Sequence, residues 1–371
     1  MSEKPAPNPW RATATTSDIA RWLSQESARG AAFVVVTHGK PDGDAVGSSM
    51  GLVRALNRLR PGSARAIYFG PLPTWIHAMT ADAPWATAES ADGAALLAAT
   101  NDHWPVVVDT GSWQQLDGVA AFLRRHAERS CLVDHHRQGD EDVSTRRCLE
   151  PTAAACQLVA RIASGLLGVP QPRQLPLDVA QSVYLGLATD TGWFRHSNVD
   201  ADVMLLAAEL IQAGVRPATL YQTIEQLEKP TRLALLARAL ASLELVAGAK
   251  AALLTLTQRD FRETGADQGE SGGFVDFPQT ISTVKVAVLL TETIEKGANV
   301  VKLSFRSKAD AQGKAIVNVN LLAQEFGGGG HDAAAGARAV GSLSDVRDRV
   351  VKALDARLGI GLETSLQARS A

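Results

Sequence analysis

His38, Asp42 and Asp44 lie close together in the segment His-Gly-Lys-Pro-Asp-Gly-Asp, residues 38–44. Neighbouring carboxylates repel each other unless a proton or a cation lies between them. A divalent metal ion removes that repulsion, and carboxylates and imidazoles are both common ligands of such ions. Taken alone, the segment also fits a polar turn in which an aspartate caps the following helix. The rest of the chain favours the metal site.

Two further segments repeat this arrangement. Asp109 follows the run Val-Val-Val, and Asp134, His135 and His136 follow Cys-Leu-Val. Asp190 stands at the end of a predicted helix, where the helix dipole disfavours an acid unless a cation is near. In an open α/β sheet, the loops at the carboxyl ends of the strands line the ligand crevice. We therefore expect these side chains to meet at one edge of a sheet.

Four carboxylates and two imidazoles suit two divalent cations, roughly 3.5–4 Å apart, that share a bridging carboxylate, for which we select Asp109. The mixed oxygen and nitrogen set favours Mn²⁺ over Mg²⁺, which prefers oxygen ligands and water. Two such ions lower the pKa of a water and neutralise charge in a displacement at phosphorus, so the predicted reaction is phosphoester hydrolysis. The predicted metal ligands are His38, Asp42, Asp44, Asp109, His135 and Asp190.

Hydrophobic spacing predicts the strands and helices that carry these residues. Short apolar runs predict parallel strands, and longer segments with helical spacing follow them. A largely helical stretch, broken at Gly214, Pro217 and Pro230, then leads to a second α/β region with a hairpin turn over residues 310–313. The predicted strands cover residues 31–36, 64–70, 251–256, 283–291, 300–305 and 315–319, and the predicted helices cover 45–59, 152–167 and 177–187. Residues 266–273 are predicted to form a mobile loop.

A run of four glycines, residues 327–330, precedes His331. Such a run alone is as typical of a flexible linker as of a binding loop. Here an alanine-rich segment follows it, and a glycine loop that opens a helix brings backbone N–H groups close to a phosphate. His331 can stack on a base or donate to phosphate, and Arg306 ends a predicted strand where it can bind phosphate as well. Gly328, Gly329, Gly330, His331 and Arg306 are therefore predicted to bind substrate.

Composition limits the class of protein and its partners. The chain has 371 residues, of which 46% are hydrophobic, and a net charge of −2. This length predicts two domains, and the charge argues against a groove for long duplex nucleic acid. No apolar run is long enough to cross a membrane, and three cysteines without metal-finger spacing favour a cytoplasmic protein in which they serve only for packing.

The ordered series His38-x-x-x-Asp42-x-Asp44, Asp109, Asp134-His135-His136, Asp190 and Gly-Gly-Gly-Gly-His331 resembles the DHH/DHHA1 phosphoesterases. Within that family it is most similar to the NrnA-type enzymes, or nanoRNases, which degrade very short oligoribonucleotides and can dephosphorylate 3′-phosphoadenosine 5′-phosphate. The resemblance spans about residues 30–340. It implies that short oligoribonucleotides or nucleotides are the substrates, and it leaves a homodimer open.

The resemblance also implies an α/β fold with two domains. A parallel-sheet DHH domain would cover residues 12–212, a helical linker 213–245, and a smaller mixed-sheet DHHA1 domain, which would hold substrate across the cleft, 246–361. It assigns the six metal ligands named above, places His136 against the reactive phosphate, and gives substrate recognition to Arg306, residues 328–330 and His331. Asp332 departs from the family pattern, because an acid beside the glycine run could weaken a second phosphate contact.

Several alternatives remain open. A phosphodiesterase of linear or cyclic dinucleotides, such as pApA or cyclic di-AMP, would use the same motifs. A manganese pyrophosphatase would share the N-terminal ligands but resembles a different C-terminal domain, so we rank it low. The alternative from another class is a nucleotide-binding or scaffold protein without activity, although such a protein has no need of all six ligands.

Overall fold

The computed structural model describes residues 11–99, 103–136, 139–295 and 297–359. The chain divides after Leu227 into two compact units, and this position falls inside the predicted linker. Among the described residues no single helix is long and apolar enough to cross a membrane. Two helices joined at a 103° bend, Ala201–Gln212 and Pro217–Glu225, reach that length and hydropathy only when they are taken together.

The N-terminal unit contains a six-stranded sheet with the order β3-β2-β1-β4-β5-β6, and all of its strand pairs are parallel. Its central strands are valine-rich and buried on both faces, as expected when helices cover a parallel sheet. The parallel N-terminal sheet predicted from the sequence is therefore confirmed. The strands are β1 (Ala32–Val36), β2 (Ala64–Tyr68), β3 (Trp85–Thr87), β4 (His103–Val108), β5 (Cys131–Asp134) and β6 (Arg146–Leu149).

Nine helices belong to the described part of this unit. They are α1 (Thr16–Ala28), α2 (Gly43–Leu59), α3 (Ile76–Thr80), α4 (Ala91–Ala98), α5 (Ala120–Arg125), α6 (Ala155–Leu167), α7 (Leu177–Asp190), α8 (Ala201–Gln212) and α9 (Pro217–Glu225). The three cysteines, Cys131, Cys148 and Cys156, are free and buried in the core, in agreement with their predicted packing role.

Helix α2 passes unusually close to α7 because both carry glycine at the crossing. A Cβ on Gly47 would lie 2.5 Å from the Ser182 carbonyl oxygen, and one on Gly186 would lie 2.5 Å from Oδ1 of Asp44. Any larger side chain would force the two helices apart. This contact brings the first turn of α2 against α6 and α7, and so places Asp44 inside the unit.

The C-terminal unit has a mixed six-stranded sheet with the order β11-β12-β10-β9-β8-β7, in which only β8 and β9 pair in parallel. The predicted mixed sheet is confirmed. The strands are β7 (Glu244–Val246), β8 (Ala251–Leu256), β9 (Val286–Glu295), β10 (Ala298–Ser307), β11 (Gly329–Gly330) and β12 (Ala334–Val340). The helices are α10 (Pro230–Ala241), α11 (Gln258–Thr264), α12 (Val319–Gln324) and α13 (Leu343–Leu358).

One local prediction in this unit is wrong, and part of a predicted loop has regular structure. The strand predicted over residues 315–319 is reduced to an isolated bridge between Ala309 and Ala315, because Val319 already begins α12. The predicted mobile loop over residues 266–273 contains a 3-10 helix, Gln268–Ser271, whose Glu270 accepts hydrogen bonds from Lys229 and Thr231. Partners distant in sequence thus order a segment whose composition is typical of a loop.

The sequence predicted that the glycine run opens a helix, and this prediction is wrong. The run ends α12, with the N–H of Gly328 donating to the Ala323 carbonyl at 2.9 Å, and then forms β11 of a hairpin with β12. Ala335, Ala337 and Ala339 are buried, with exposed residues between them, which is the alternation of a strand. Pairing with β10 overrides the helix propensity of alanine.

Candidate metal centre

Strands β1, β4 and β5 are neighbours in the sheet and bring the three predicted segments to the same edge. His38 lies two residues after β1, Asp109 follows β4 directly, and Asp134 is the last residue of β5. Since all three strands are parallel, their carboxyl ends share one edge. The neighbouring histidines His135 and His136 therefore lie beside the loops that carry His38 and Asp109.

Two carboxylates come from the start of α2. Asp42 is its N-cap, and its Oδ1 accepts hydrogen bonds from the N–H groups of Asp44 and Ala45 at 3.0 Å. Asp44 is 1% exposed and accepts from the N–H groups of Ala155 at 2.6 Å and Cys156 at 3.0 Å, and from the Ser48 hydroxyl at 3.2 Å. Asp42 therefore caps α2, whereas N–H groups at the start of α6 hold the Asp44 carboxylate.

Asp109 is buried, and its carboxylate lies between two imidazoles. Its Oδ2 is 3.6 Å from Nε2 of His38, and its Oδ1 is 3.4 Å from Nε2 of His135. Its backbone has φ 61°, a strained left-handed conformation of the kind that clusters at functional sites. Oδ1 is buried without a hydrogen-bond partner among the described residues. An unsatisfied buried carboxylate oxygen is a position at which a cation fits.

Backbone carbonyls fix the orientation of both predicted histidine ligands. Nδ1 of His38 lies 3.1 Å from the Gly39 carbonyl, and Nδ1 of His135 lies 3.1 Å from the Thr152 carbonyl. When Nδ1 donates to a carbonyl, Nε2 carries the lone pair that can bind a metal ion. Both Nε2 atoms face carboxylates, so this tautomer directs both lone pairs into the cluster.

The six predicted ligands separate into two groups. His38 and Asp42 lie with Asp109, and Asp44 lies with His135 and Asp190, with the ligand atoms of each group within 4.8 Å of one another. The Nε2 of His135 is 3.9 Å from Asp44, 3.4 Å from Asp109 and 3.6 Å from Asp190. Two ligands at about 2.0–2.2 Å from one ion lie about 3.0–3.7 Å apart, so most of these separations suit shared coordination better than direct hydrogen bonds.

The charges of the cluster are mutually dependent. Burial and the nearby charge of Asp109 raise the pKa of Asp44 well above its ordinary value, and burial raises the pKa of Asp190 to about 6. Burial would also raise the pKa of Asp109, but the imidazoles of His135 and His38 outweigh it and hold that pKa below its ordinary value. Without a cation, Asp44 and Asp190 are therefore harder to ionise than free carboxyls.

The pKa values of the two imidazoles, His38 and His135, are raised as well. Burial lowers the pKa of each ring, but the nearby Asp109 carboxylate and the other surrounding carboxylates outweigh it and raise the pKa of His38 to about 9 and that of His135 to about 10. Divalent ions need neutral imidazoles and ionised carboxyls, and would replace these protons. The donor set therefore fits two divalent cations.

Asp134 has a role that the sequence did not assign. One oxygen, Oδ1, accepts from the N–H groups of His135 at 2.8 Å and His136 at 3.1 Å, and lies 2.7 Å from Nδ1 of His136. This contact raises the pKa of His136, whose side chain is 53% exposed. The only sequence signal was its place before two histidines at a strand end.

The predicted substrate residues of the C-terminal unit lie on β10, on β11 or directly before it, and in the turn between β11 and β12. Arg306 is paired with Ala334 across the sheet, and Ala334 closes the hairpin turn that carries His331, with His331 N–H donating to the Ala334 carbonyl at 2.8 Å. Arg306 is not free, because its Nε lies 3.2 Å from Asp276. His331 is exposed, as are Gly329 and Gly330, and Gly328 is half-buried.

Asp332 is occupied by a structural contact. Its Oδ1 accepts from the Asn318 side chain at 2.6 Å, and its carbonyl accepts from Val319 N–H at 2.9 Å. Asn318 is in turn the N-cap of α12. The acid that departs from the family pattern thus joins the hairpin turn to a helix start.

Two family matches cover most of the chain. Residues 32–187 match the DHH family, N-terminal domain, and residues 248–359 match the DHHA1 domain. The chain belongs to the DHH/DHHA1 family. This confirms the predicted relationship to metal-dependent phosphoesterases. The DHH match includes five of the six predicted metal ligands, all except Asp190.

Known relatives support the same assignment. The bifunctional oligoribonuclease and PAP phosphatase NrnA of Thermus thermophilus is 29% identical over 86% of this chain and 88% of its own length. The protein of that name from Bacillus subtilis is 23% identical over 82% of this chain and 88% of its own length. An exopolyphosphatase-related protein from Bacteroides fragilis shares the fold, with a TM-score of 0.77, 23% identity, and coverage of 92% of this chain and 97% of its own.

Proposed function

We propose that this DHH/DHHA1 protein is a manganese-dependent phosphoesterase with two metal ions that hydrolyses very short oligoribonucleotides and 3′-phosphoadenosine 5′-phosphate. The substrates are proposed from the activities for which the NrnA relatives are named, and these relatives match most of this chain. The observation that carries the metal site is the Asp109 carboxylate, with one oxygen facing His38 and the other facing His135. This is the arrangement that a bridging ligand requires.

The proposed ligands are divided between the two ions. One ion would be held by His38, Asp42 and Asp109, and the other by Asp44, His135 and Asp190, with Asp109 shared. Divalent ions held there would supply Lewis acidity and lower the pKa of a water molecule. Their mixed nitrogen and oxygen ligands favour Mn²⁺.

Protein side chains would supply the proton transfer. His136 is exposed enough to meet a phosphate, and Asp134 holds its Nδ1 so that the opposite nitrogen faces outward. With its raised pKa, His136 can donate a proton to a phosphoryl oxygen or to the leaving group. We infer that His136 and Asp109 are the catalytic residues outside simple metal binding.

We infer that the C-terminal unit supplies substrate recognition through Arg306, His331 and residues 328–330. Arg306 and His331 are linked through Ala334, so both stand at one edge of that unit. An arginine fork binds phosphate, and a histidine ring can stack on a base. Because the glycine run forms a strand, its contribution would come from exposed backbone groups and not from a helix dipole.

The predicted domain limits remain a proposal, with a DHH domain over residues 12–212, a linker over 213–245 and a DHHA1 domain over 246–361. A cytoplasmic location is proposed from the three free thiols. The homodimer and the exclusion of long duplex nucleic acid stay predictions.

A substrate panel tests the proposed function. The metal-depleted protein is incubated with Mn²⁺ or Mg²⁺ and with pApA, longer oligoribonucleotides, 3′-phosphoadenosine 5′-phosphate, cyclic di-AMP and pyrophosphate. We expect the highest kcat/KM with Mn²⁺ on the dinucleotide, release of phosphate from 3′-phosphoadenosine 5′-phosphate, and decreasing activity with length.

Other outcomes would replace the proposal. Preference for cyclic di-AMP would indicate a cyclic dinucleotide phosphodiesterase, and preference for pyrophosphate would indicate a pyrophosphatase. A protein that binds no Mn²⁺ and hydrolyses none of these compounds would be a binding or scaffold protein.

A further inference from the structure

Residues 152–156 contact two of the three ligands of one proposed ion and are linked to the third through Asn198. The Thr152 carbonyl lies 3.1 Å from Nδ1 of His135, and the N–H groups of Ala155 and Cys156 donate to the Asp44 carboxylate at 2.6 and 3.0 Å. The third contact is indirect, since the Asn198 amide donates to both the Ala153 carbonyl and the Asp190 carbonyl at 3.2 Å. A single segment thus holds Asp44 and His135 directly and is linked to the backbone of Asp190 through Asn198.

The other proposed ion depends on different contacts. His38 is oriented by Gly39, and Asp42 by the first N–H groups of α2. Within the described part of the chain, no hydrogen bond joins residues 152–156 to His38, Asp42 or Asp109. The two ligand groups can therefore be disturbed separately.

Gln157 fixes this segment from inside the protein. Its side chain is buried, and Oε1 accepts from the Ala153 N–H at 2.7 Å, just before α6 begins. Glutamine in the first turn of a helix commonly reaches back in this way to a preceding N–H group. Without that acceptor, the Ala153 N–H would be buried and unpaired, and the segment would lose its fixed conformation.

We propose that Gln157 is a positioning residue for the ion bound by Asp44, His135 and Asp190, on which it acts through residues 152–156. The proposal rests on the proposed site for two metal ions. Residues that orient metal ligands typically contribute about ten- to a hundredfold to metal affinity. Gln157 should therefore raise the affinity of one ion and leave that of the other unchanged.

Titration of the metal-depleted protein with Mn²⁺ tests this inference, with free Mn²⁺ measured by its electron paramagnetic resonance signal. The wild type should bind two ions. Gln157→Met, which keeps the length of the side chain and removes the acceptor, should bind one ion with wild-type affinity and the other at least about tenfold more weakly. Gln157→Glu, which keeps an acceptor oxygen, should restore most of the loss.

Two controls complete the design. Gln222→Met makes the same chemical change on an exposed position of α9 and should not alter either affinity. If Gln157→Met does not fold, as judged by circular dichroism, Asn198→Ala removes the exposed link to Asp190 and should weaken the same ion selectively.

Two results would overturn the inference. Unchanged affinities in Gln157→Met, or an equal loss of both ions that Gln157→Glu does not restore, would show that Gln157 does not position this site. Failure of the wild type to bind two ions would instead contradict the proposed metal site itself, so the two failures are distinguishable.

Discussion

The candidate metal centre of the N-terminal unit and the hairpin of the C-terminal unit hold their candidate functional groups in different ways. Asp44 and Asp109 are 1% and 2% exposed, and partners distant in sequence hold them in place. His331, Gly329 and Gly330 are exposed, and the hairpin is held mainly by backbone hydrogen bonds. Buried, fixed charges suit chemistry that needs preorganised electrostatics, and exposed groups suit contact with a varied ligand.

This contrast predicts that changes in the N-terminal cluster affect turnover, whereas changes in the hairpin affect substrate selectivity. The strongest test is Asp109→Asn, which is nearly isosteric but removes the charge shared between the two ligand groups. We expect a fall in kcat of about a thousandfold or more, because metal-based charge stabilisation is lost. Kinetics on a dinucleotide with Mn²⁺ measure it, and unchanged circular dichroism would show that folding survives. Activity near that of wild type would contradict a bridging role.

The second test asks whether recognition is separate from chemistry. His331→Ala should lose about ten- to a hundredfold in kcat/KM on dinucleotides, since a stacking or charge-assisted contact contributes roughly 1–3 kcal/mol. Hydrolysis of bis-p-nitrophenyl phosphate and the metal content should stay unchanged. An equal loss on both substrates would place His331 in the chemical step and remove the contrast.

A third test concerns the backbone of the hairpin. A Cβ on Gly328 would lie 2.1 Å from the Gly336 carbonyl oxygen, whereas the nearest atom to a Cβ on Gly329 is 3.6 Å away. Gly328→Ala should therefore destabilise the protein by about 1–3 kcal/mol, and Gly329→Ala by about 0.5 kcal/mol or less. Urea unfolding of the two variants measures the difference. Equal stability would mean that the hairpin can move to admit a side chain.

The smallest expected effect belongs to Asp332. Asp332→Ala removes the acceptor of the Asn318 amide and should lower stability by about 0.5–1.5 kcal/mol, while Asp332→Asn keeps an acceptor oxygen and should lose less. KM for the dinucleotide should change little in Asp332→Asn. A marked fall in KM in that variant would show that the acid repels substrate phosphate and is more than a structural contact.

The sequence predicted that the six candidate ligands lie together, because the signals for this are local. Each ligand follows an apolar strand or begins or ends a helix, and parallel strands place their carboxyl ends at one edge. The positioning roles of Asp134, Gln157 and Asn198 could not be predicted, because a glutamine near a helix start or an exposed asparagine is common in any chain. Asp44 and the Ala155 N–H that holds it are 111 residues apart.

The order of apolar runs and ligand-type residues along the chain was enough to predict the two α/β regions, the family and which side chains lie together. Only the tertiary structure decided that the glycine run enters a strand, that Asp332 joins a turn to a helix, and that residues 152–156 hold one ligand group and not the other. The intrinsic helix and strand preferences of ordinary residue types differ by less than about 1 kcal/mol per residue, so they decide little by themselves. Pairing with β10 and burial of alternate alanines exceed that difference, and neither can be read from adjacent residues.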